Sequence, residues 1–465
     1  MTRCLHTVCW LVLMCVQGAS AADLRVGFGE VDITPKLEQG KPVYLAGYGH
    51  NRQAVGVHDP IMLRAVVLAD GRSKIALICA DVVGLMRPTV QAIRGKIAGF
   101  DYVMVASTHN HEGPDTIGLW GSSPLVSGVD AGYMKRLVEK AVEAVKLAEK
   151  NLTPVKASYG VAADESILGD SRLPKAFDGV LRVLRFDRID TGMPYGLLVQ
   201  WNCHPEAMGS KNKQITADFP HATVAALKKK HGCAVAYFSG AVGGLMAPPD
   251  HVVKNGEGRE LKEGDFEYCR VYGEMVASLA EKAIAGAAPI ALTPMKASAK
   301  VVNVPLTNPI YMAMRKLGVV QRDAFVWTGD ADKRGEPYDD ENSTKQPAIE
   351  AEVACLTLGA LSIACIPGEI YPELIYGKFQ EPAEADADFP NAEKEKHLTA
   401  MFPADRKLLI IGLANDEIGY IIPKRQWDAQ APFAYGRNRA QYGEVNSVGP
   451  DAAPILMKAL EEVSR

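Results

Sequence analysis

Several absences narrow the field. After residue 21 no stretch reaches the roughly 18 apolar residues a membrane-spanning helix needs, so no transmembrane helix is expected in the mature chain. No basic stripe stands out and the formal net charge is −4, which argues against nucleic acid as a partner. There is no C-x-x-C pair and no H-E-x-x-H, and no Gly-rich loop is followed by Lys-Ser/Thr. Redox, zincin and P-loop signatures are therefore all missing. Histidine is scarce too, with 10 in 465 residues, so any clustering of histidines carries information.

What is present is ordinary globular composition, 48% hydrophobic and 23% charged. Residues 1–21 read as a signal peptide. Arg3 gives a positive start, Leu5 to Val16 an apolar core, and Ala19-Ser20-Ala21 a cleavage site. The mature chain, 22–465, is expected to be exported, secreted or periplasmic. Its cysteines, Cys79, Cys203, Cys233, Cys269, Cys355 and Cys365, lie mostly in apolar runs and read as buried thiols, with one bridge left open.

The pattern along the chain predicts an α/β fold with mixed β-sheets flanked by helices. Leu24 to Thr34, Met62 to Leu68, Lys74 to Asp81, Val180 to Phe186 and Val235 to Ser239 read as strands. Ala69-Asp70-Gly71-Arg72-Ser73 marks a hairpin turn. Pro88–Ala98, Tyr133–Asn151, Ala217–His231, Asp265–Ala285 and Ala452–Val463 read as helices, whereas 286–345 reads as polar and irregular.

The chemistry gathers at strand ends. Tyr102 to Ala106 is a short apolar run that stops in Ser107-Thr108-His109-Asn110-His111-Glu112-Gly113-Pro114. On an extended backbone, His109 and His111 would share one face about 6–7 Å apart, a spacing that suits a transition metal such as zinc. Leu197 to Trp201 likewise runs into Asn202-Cys203-His204-Pro205, and Ala364-Cys365-Ile366 into Pro367-Gly368-Glu369. Open α/β sheets usually carry their sites at such carboxyl ends. The Gly-rich run Gly240 to Pro248 lets backbone approach a ligand or metal shell.

Together these blocks resemble the neutral/alkaline non-lysosomal ceramidase family in its N-terminal catalytic domain. Thr108 to Pro114 is similar to the family's T-H-T-H-S-G-P, and Val26 to Thr34 to its opening strand. Gly56-Val57-His58-Asp59-Pro60 with Arg64, and Asn202 to Pro205, look like its next blocks. Pro367-Gly368-Glu369 looks like its G-E segment, and Tyr442, with Ser447 and Gly449-Pro450, like its Y-E-G-A-S-T-x-x-G-P block. The resemblance implies a zinc-dependent hydrolase of N-acyl amides such as ceramide, with zinc held by His109, His204, Glu369 and Tyr442. It implies an oxyanion-binding or proton-carrying role for His111. Arg172 would lie near the substrate. The substrate would be a lipid or small N-acyl compound, and peripheral membrane contact stays open. Two departures stand out. Ala247 replaces a serine of the family's G-D-x-S-P-N loop, and the chain is expected to lack the family's C-terminal immunoglobulin-like domain. Two other readings stay in play. One is a secreted metal-containing binding protein without catalysis, motivated by Ala247. The other is a metal-dependent phosphoesterase drawing on Asp81 and Asp218.

Overall fold

Strand β1, Arg25–Asp32, shows how the sequence builds its layers. Val26 and Phe28 face one way, into a core shared by two sheets. Gly27 and Gly29 face the other way, against a helix. The computed structural model describes residues 24–465, so the expected signal peptide lies outside the described residues.

Strands β2 (Met62–Ala69) and β3 (Lys74–Ala80) form the expected hairpin. The Asp70 carboxylate accepts the amides of Arg72 and Ser73 and closes its turn. Helix α1 (Arg87–Arg94) leads to β4 (Tyr102–Ser107), which pairs parallel to β3. Helix α2 (Ala131–Lys150) is capped by Asp130, which accepts the Tyr133 amide at 2.5 Å. After it come β5 (Thr153–Ala163), β6 (Val180–Arg188) and β7 (Pro194–Trp201). Helix α3 (Asp218–His231), β8 (Ala234–Ser239), α4 (Phe266–Ala285) and the short β9 (Ala288–Ile290) complete the first half. The resulting sheet runs β8-β7-β6-β5-β1-β2-β3-β4, with β9 alongside β5. Only β8/β7 and β3/β4 are parallel along that order.

The second sheet comes from the second half of the chain. It contains β10 (Met295–Pro305), β11 (Phe325–Val326), β12 (Pro347–Leu358), β13 (Leu361–Cys365) and β14 (Lys407–Ile411). Its order is β10-β12-β13-β14, with β11 on β12 and with β13 parallel to β14. The two sheets face each other through Val66, Leu77, Phe238, Leu356, Ile363 and Ile411. Helices α1 and α2 cover one half of the first sheet's outer face, and α3 and α4 the other. The C-terminal helix Ala452–Ser464 packs on the second sheet.

The α/β class with mixed sheets and flanking helices is as expected. The segment 286–345 is not irregular, however. It holds β10, the central strand's main antiparallel partner, and helix α5 (Pro309–Lys316). The six cysteines described are all free, and five of them are buried. No helix among the described residues is long and apolar enough to cross a membrane.

Candidate metal centre

The carboxyl ends of β4, β7 and β13 converge between the two sheets. β4 stops at Ser107, and His109 then takes a left-handed backbone with φ 67°. A non-glycine residue there costs on the order of 1–3 kcal/mol and needs its surroundings to hold it. Asn110 supplies that hold. Its amide donates to the Asp81 and Thr216 carbonyls, and its Oδ1 accepts the Glu112 amide. The turn, rather than an extended backbone, brings the His109 and His111 rings to 4.8 Å between centroids. That corrects the sequence-based geometry while keeping its result.

Each of the outer imidazoles is fixed through Nδ1. His109 Nδ1 lies 2.7 Å from the Val83 carbonyl, and His204 Nδ1 2.8 Å from the Met246 carbonyl. Carbonyls only accept, so the protons sit on Nδ1 and the Nε2 lone pairs are left free. Both free nitrogens meet the same carboxylate oxygen. Glu369 Oε2 is 2.9 Å from His204 Nε2 and 3.4 Å from His109 Nε2. Ligand atoms of His109, His111 and His204 all lie within 4.8 Å of one another. Lone pairs and a carboxylate facing one another at these distances demand a positive charge between them. A proton on His204 meets the demand in part. Burial opposes that proton, but the hydrogen bond His204 donates to Glu369, the charges of Glu206 and Glu369 and the bond to the Met246 carbonyl together outweigh burial and lift the imidazole to about 9. Glu369 itself is held well below the usual carboxylate range by the two imidazoles, against the pull of burial. A divalent metal fits the same donor set, two imidazole nitrogens and a carboxylate.

Tyr420 is the hydroxyl that reaches this cluster, 3.4 Å from His204 Nε2. It is placed by a two-residue parallel ladder that sets Glu369 directly opposite Tyr420. Tyr442, the tyrosine implied by resemblance, lies farther out. Its side chain is 56% exposed and stands beyond Tyr420, with 6.1 Å between ring centroids. The signal for Tyr420 was of the same kind that found the other residues, a polar run after an apolar strand, here Asn415-Asp416-Glu417 after β14.

Arg172 also stands apart from its implied role. Its guanidinium donates to Glu444, to the Gln426 and Leu173 carbonyls, and stacks 4.8 Å over the Tyr371 ring. It is not among the residues lining the cavity over the cluster. His111 does line that cavity. Burial and the neighbouring imidazoles keep His111 well below its ordinary pKa, so it stays neutral. Its Nδ1 sits 3.5 Å from Glu206. Ala247 lies on a short bridge to Gly169, and the loop serves the site through the preceding residue's carbonyl, which orients His204. Asp81 is committed to Arg64, and Asp218 to the amides of Ala207, Met208 and Phe219. Neither lines the cavity, so neither is placed to bridge a second metal there.

The cavity encloses about 130 Å³ and is walled largely by apolar groups, among them Val83, Met86, Ile117, Trp120 and Met314. Ile310 of α5, Tyr442 and Val445 stand exposed at its rim.

No protein-family model matches the sequence, and no curated protein matches it either. Solved structures do. A neutral ceramidase from Pseudomonas aeruginosa superposes with a TM-score of 0.70 at 16% identity, over 95% of this chain and 74% of that one. A ceramidase complexed with C2 superposes with a TM-score of 0.68 at 15% identity, over 95% and 75% of the respective chains. At such identity the likeness is one of architecture, and over nearly its whole length this chain has the ceramidase fold.

Proposed function

We propose that the protein is an exported, zinc-dependent amidohydrolase that cleaves an N-acyl amide into a carboxylic acid and an amine. The observation that carries this reading is the meeting of His109 Nε2, His204 Nε2 and Glu369 Oε2 beneath an apolar cavity, in a chain with the ceramidase fold. His109, His204, Glu369 and Tyr420 would hold the metal. When bound, zinc would supply Lewis-acid polarisation of a carbonyl and bring the pKa of water in contact with it down to about 7.

The chain's own groups account for the rest. His111, uncharged, presents a ring N–H donor to the oxygen on which negative charge grows. Arg52 locks the segment bearing His111 by donating to the Ala46 and His111 carbonyls. The apolar walls exclude water, and exposed Ile310 and Val445 suit an acyl or alkyl tail at the rim. Water adds to the carbonyl carbon, the C–N bond breaks, and the departing nitrogen takes a proton. Leader removal after Ala21 would release the mature chain outside the cytoplasm.

Metal analysis by mass spectrometry tests the reading. The purified mature protein should hold one zinc per chain, and His109→Ala with His204→Ala should hold none. Chelation should abolish hydrolysis of an N-acyl amide panel, and zinc should restore it. A zinc-loaded protein that leaves the whole panel intact would favour the binding-protein alternative, which Ala247 keeps open.

A further inference from the structure

One wall of the cavity hangs from a residue that touches neither the metal cluster nor the space above it. Ile117, Leu119 and Trp120 line the cavity, and Tyr311 and Met314 of α5 pack with them in one small apolar cluster. That cluster has only five buried members, Ala46, Val83, Met86, Ile117 and Val320, and stands apart from the larger cores. Between β4 and α2 the segment 116–130 contains no helix or strand, so no ladder holds the wall in place. Few buried contacts and no regular structure make a segment easy to displace, unless something else fixes it.

Asp115 fixes it. Its side chain is 1% exposed and its carboxylate is spent on the backbone just ahead. Oδ1 accepts the Ile117 and Gly118 amides at 2.9 and 2.7 Å, and Oδ2 accepts the Trp120 amide at 2.9 Å. Amide bonds to an ionised carboxylate are roughly twice as strong as neutral ones. Two glycines let the segment close up around this anchor. A Cβ at Gly128 would lie 2.5 Å from Asp115 Oδ2. One at Gly118, whose φ is 117°, would lie 2.0 Å from the Val319 carbonyl oxygen just beyond α5. The backbone ahead of the wall is anchored separately. The Asp115 amide donates to the Tyr44 carbonyl and the Ala46 amide to that of Gly113, while Asn110 holds the turn at His109. Losing the carboxylate therefore frees the wall without freeing His109 or His111.

The cavity this wall bounds is tight. It encloses about 130 Å³, against roughly 300–1,000 Å³ for ordinary ligand pockets, so a small displacement of the wall changes what fits. We propose that Asp115 is a positioning residue that sets the girth of the apolar group admitted beside the metal cluster, by holding Ile117, Leu119 and Trp120 in place. The inference rests on the amidohydrolase reading for the reaction, whereas the width of the cavity is a binding property in its own right.

Two amides of one amine test it: N-hexanoyl propylamine, which is slim, and N-(adamantane-1-carbonyl) propylamine, which is bulky. The metal-loaded parent, Asp115→Asn, Asp115→Ala and Gly118→Ala are compared by kcat and KM. Calorimetric Kd values for hexanoate and adamantane-1-carboxylate give the same comparison independently of turnover. The parent should favour the slim amide by about tenfold or more, and Asp115→Ala should cut that preference to about threefold or less. The change should fall in KM rather than kcat, with one zinc per chain retained. Asp115→Asn keeps one acceptor oxygen for the Ile117 and Gly118 amides and should retain more of the preference than Ala. Gly118→Ala leaves the carboxylate intact but drives the wall off Val319, and should lower the preference as well. An equal loss on both amides, as a merely structural role would give, overturns the proposal. So does a preference that stays unchanged in both Ala variants. If the parent cleaves neither amide yet binds hexanoate tighter than the bulky acid, and Asp115→Ala removes the difference, the hydrolase reading falls and the role of Asp115 stands. A melting curve on each variant separates misfolding from altered selectivity, and the near-isosteric Asn variant carries the test if Ala fails to fold.

Discussion

A single methyl group at residue 47 is a sharp probe of His111. Gly47 has φ 89°, and a Cβ there would lie 2.3 Å from His111 Cγ, so only glycine lets the ring stand where it does. Gly47→Ala should displace the ring without touching the outer imidazoles. Metal content should stay at the parent value while kcat on an accepted amide falls by about 10²-fold, the cost of misplacing a group by roughly 1 Å. Loss of metal in this variant would show His111 to be a ligand instead. Arg172 makes the opposite case. Its charge is fully buried and paired with Glu444 at 2.6 Å. Arg172→Ala strands that carboxylate and should cost about 3–5 kcal/mol of stability by denaturant titration, with Arg172→Met milder. A large drop in kcat/KM at unchanged stability would return Arg172 to the chemistry. These residues also mark how far the sequence could be read. His109, His204 and Glu369 each follow an apolar run stopped by proline or a turn, and that local signal survives folding. The polar run after β14 marks the neighbourhood of Tyr420 but not the residue itself, because its place beside Glu369 depends on a ladder between segments some fifty residues apart.

At the scale of elements, close backbone packing decides more than side-chain pattern does. β1 lies so near α2 that a Cβ on Gly29 would sit 2.0 Å from the Ala144 carbonyl oxygen, and one on Gly27 1.9 Å from that of Ala148. No rotamer change relieves a clash with backbone. Gly29→Ala should therefore push the helix off the sheet and lower stability by about 3 kcal/mol or more, read from a urea midpoint at constant m-value. The same strand was legible in the sequence, because its alternation matches a face buried in the core. β10 was not. Its first half is largely solvent-facing after Met295, with Lys296 and Lys300 outward, and Val302 and Val304 reach the core only in its second half. Propensity and pattern were weak there, and pairing along β12 made the strand. Helix α5 has only eight residues and none is fully buried, Tyr311 and Met314 packing partly inward, so its apolar pattern was too short to mark it.

At the scale of the whole molecule, buried carboxylates set the pH dependence of folding. Glu112 is lifted to about 8 and Asp218 to about 7, in both cases mainly by burial. The Arg52 charge pulls against the shift at Glu112 but does not cancel it. The guanidinium donates to three carbonyls, those of Ala46, His111 and Gly209, and comes no nearer than 3.5 Å to the carboxylate. Unfolded, the same groups titrate near 4. The folded chain thus binds protons that the unfolded chain releases, and the stability they confer is complete below about pH 4 and lost as the pH rises through 7 and 8. Each group adds a slope of up to about 1.4 kcal/mol per pH unit inside its window. Glu369, held low, does not bend the curve in that range, because its carboxylate is ionised in both states above about pH 5. Urea unfolding of the metal-loaded protein from pH 5 to pH 8 should show stability falling with pH. Glu112→Gln keeps the contact with Asn212 but cannot ionise, so it should flatten that fall. A parent curve that rises across this window would mean that Arg52 holds Glu112 ionised after all, and that the floor beneath His111 is an ion pair rather than a neutral acid.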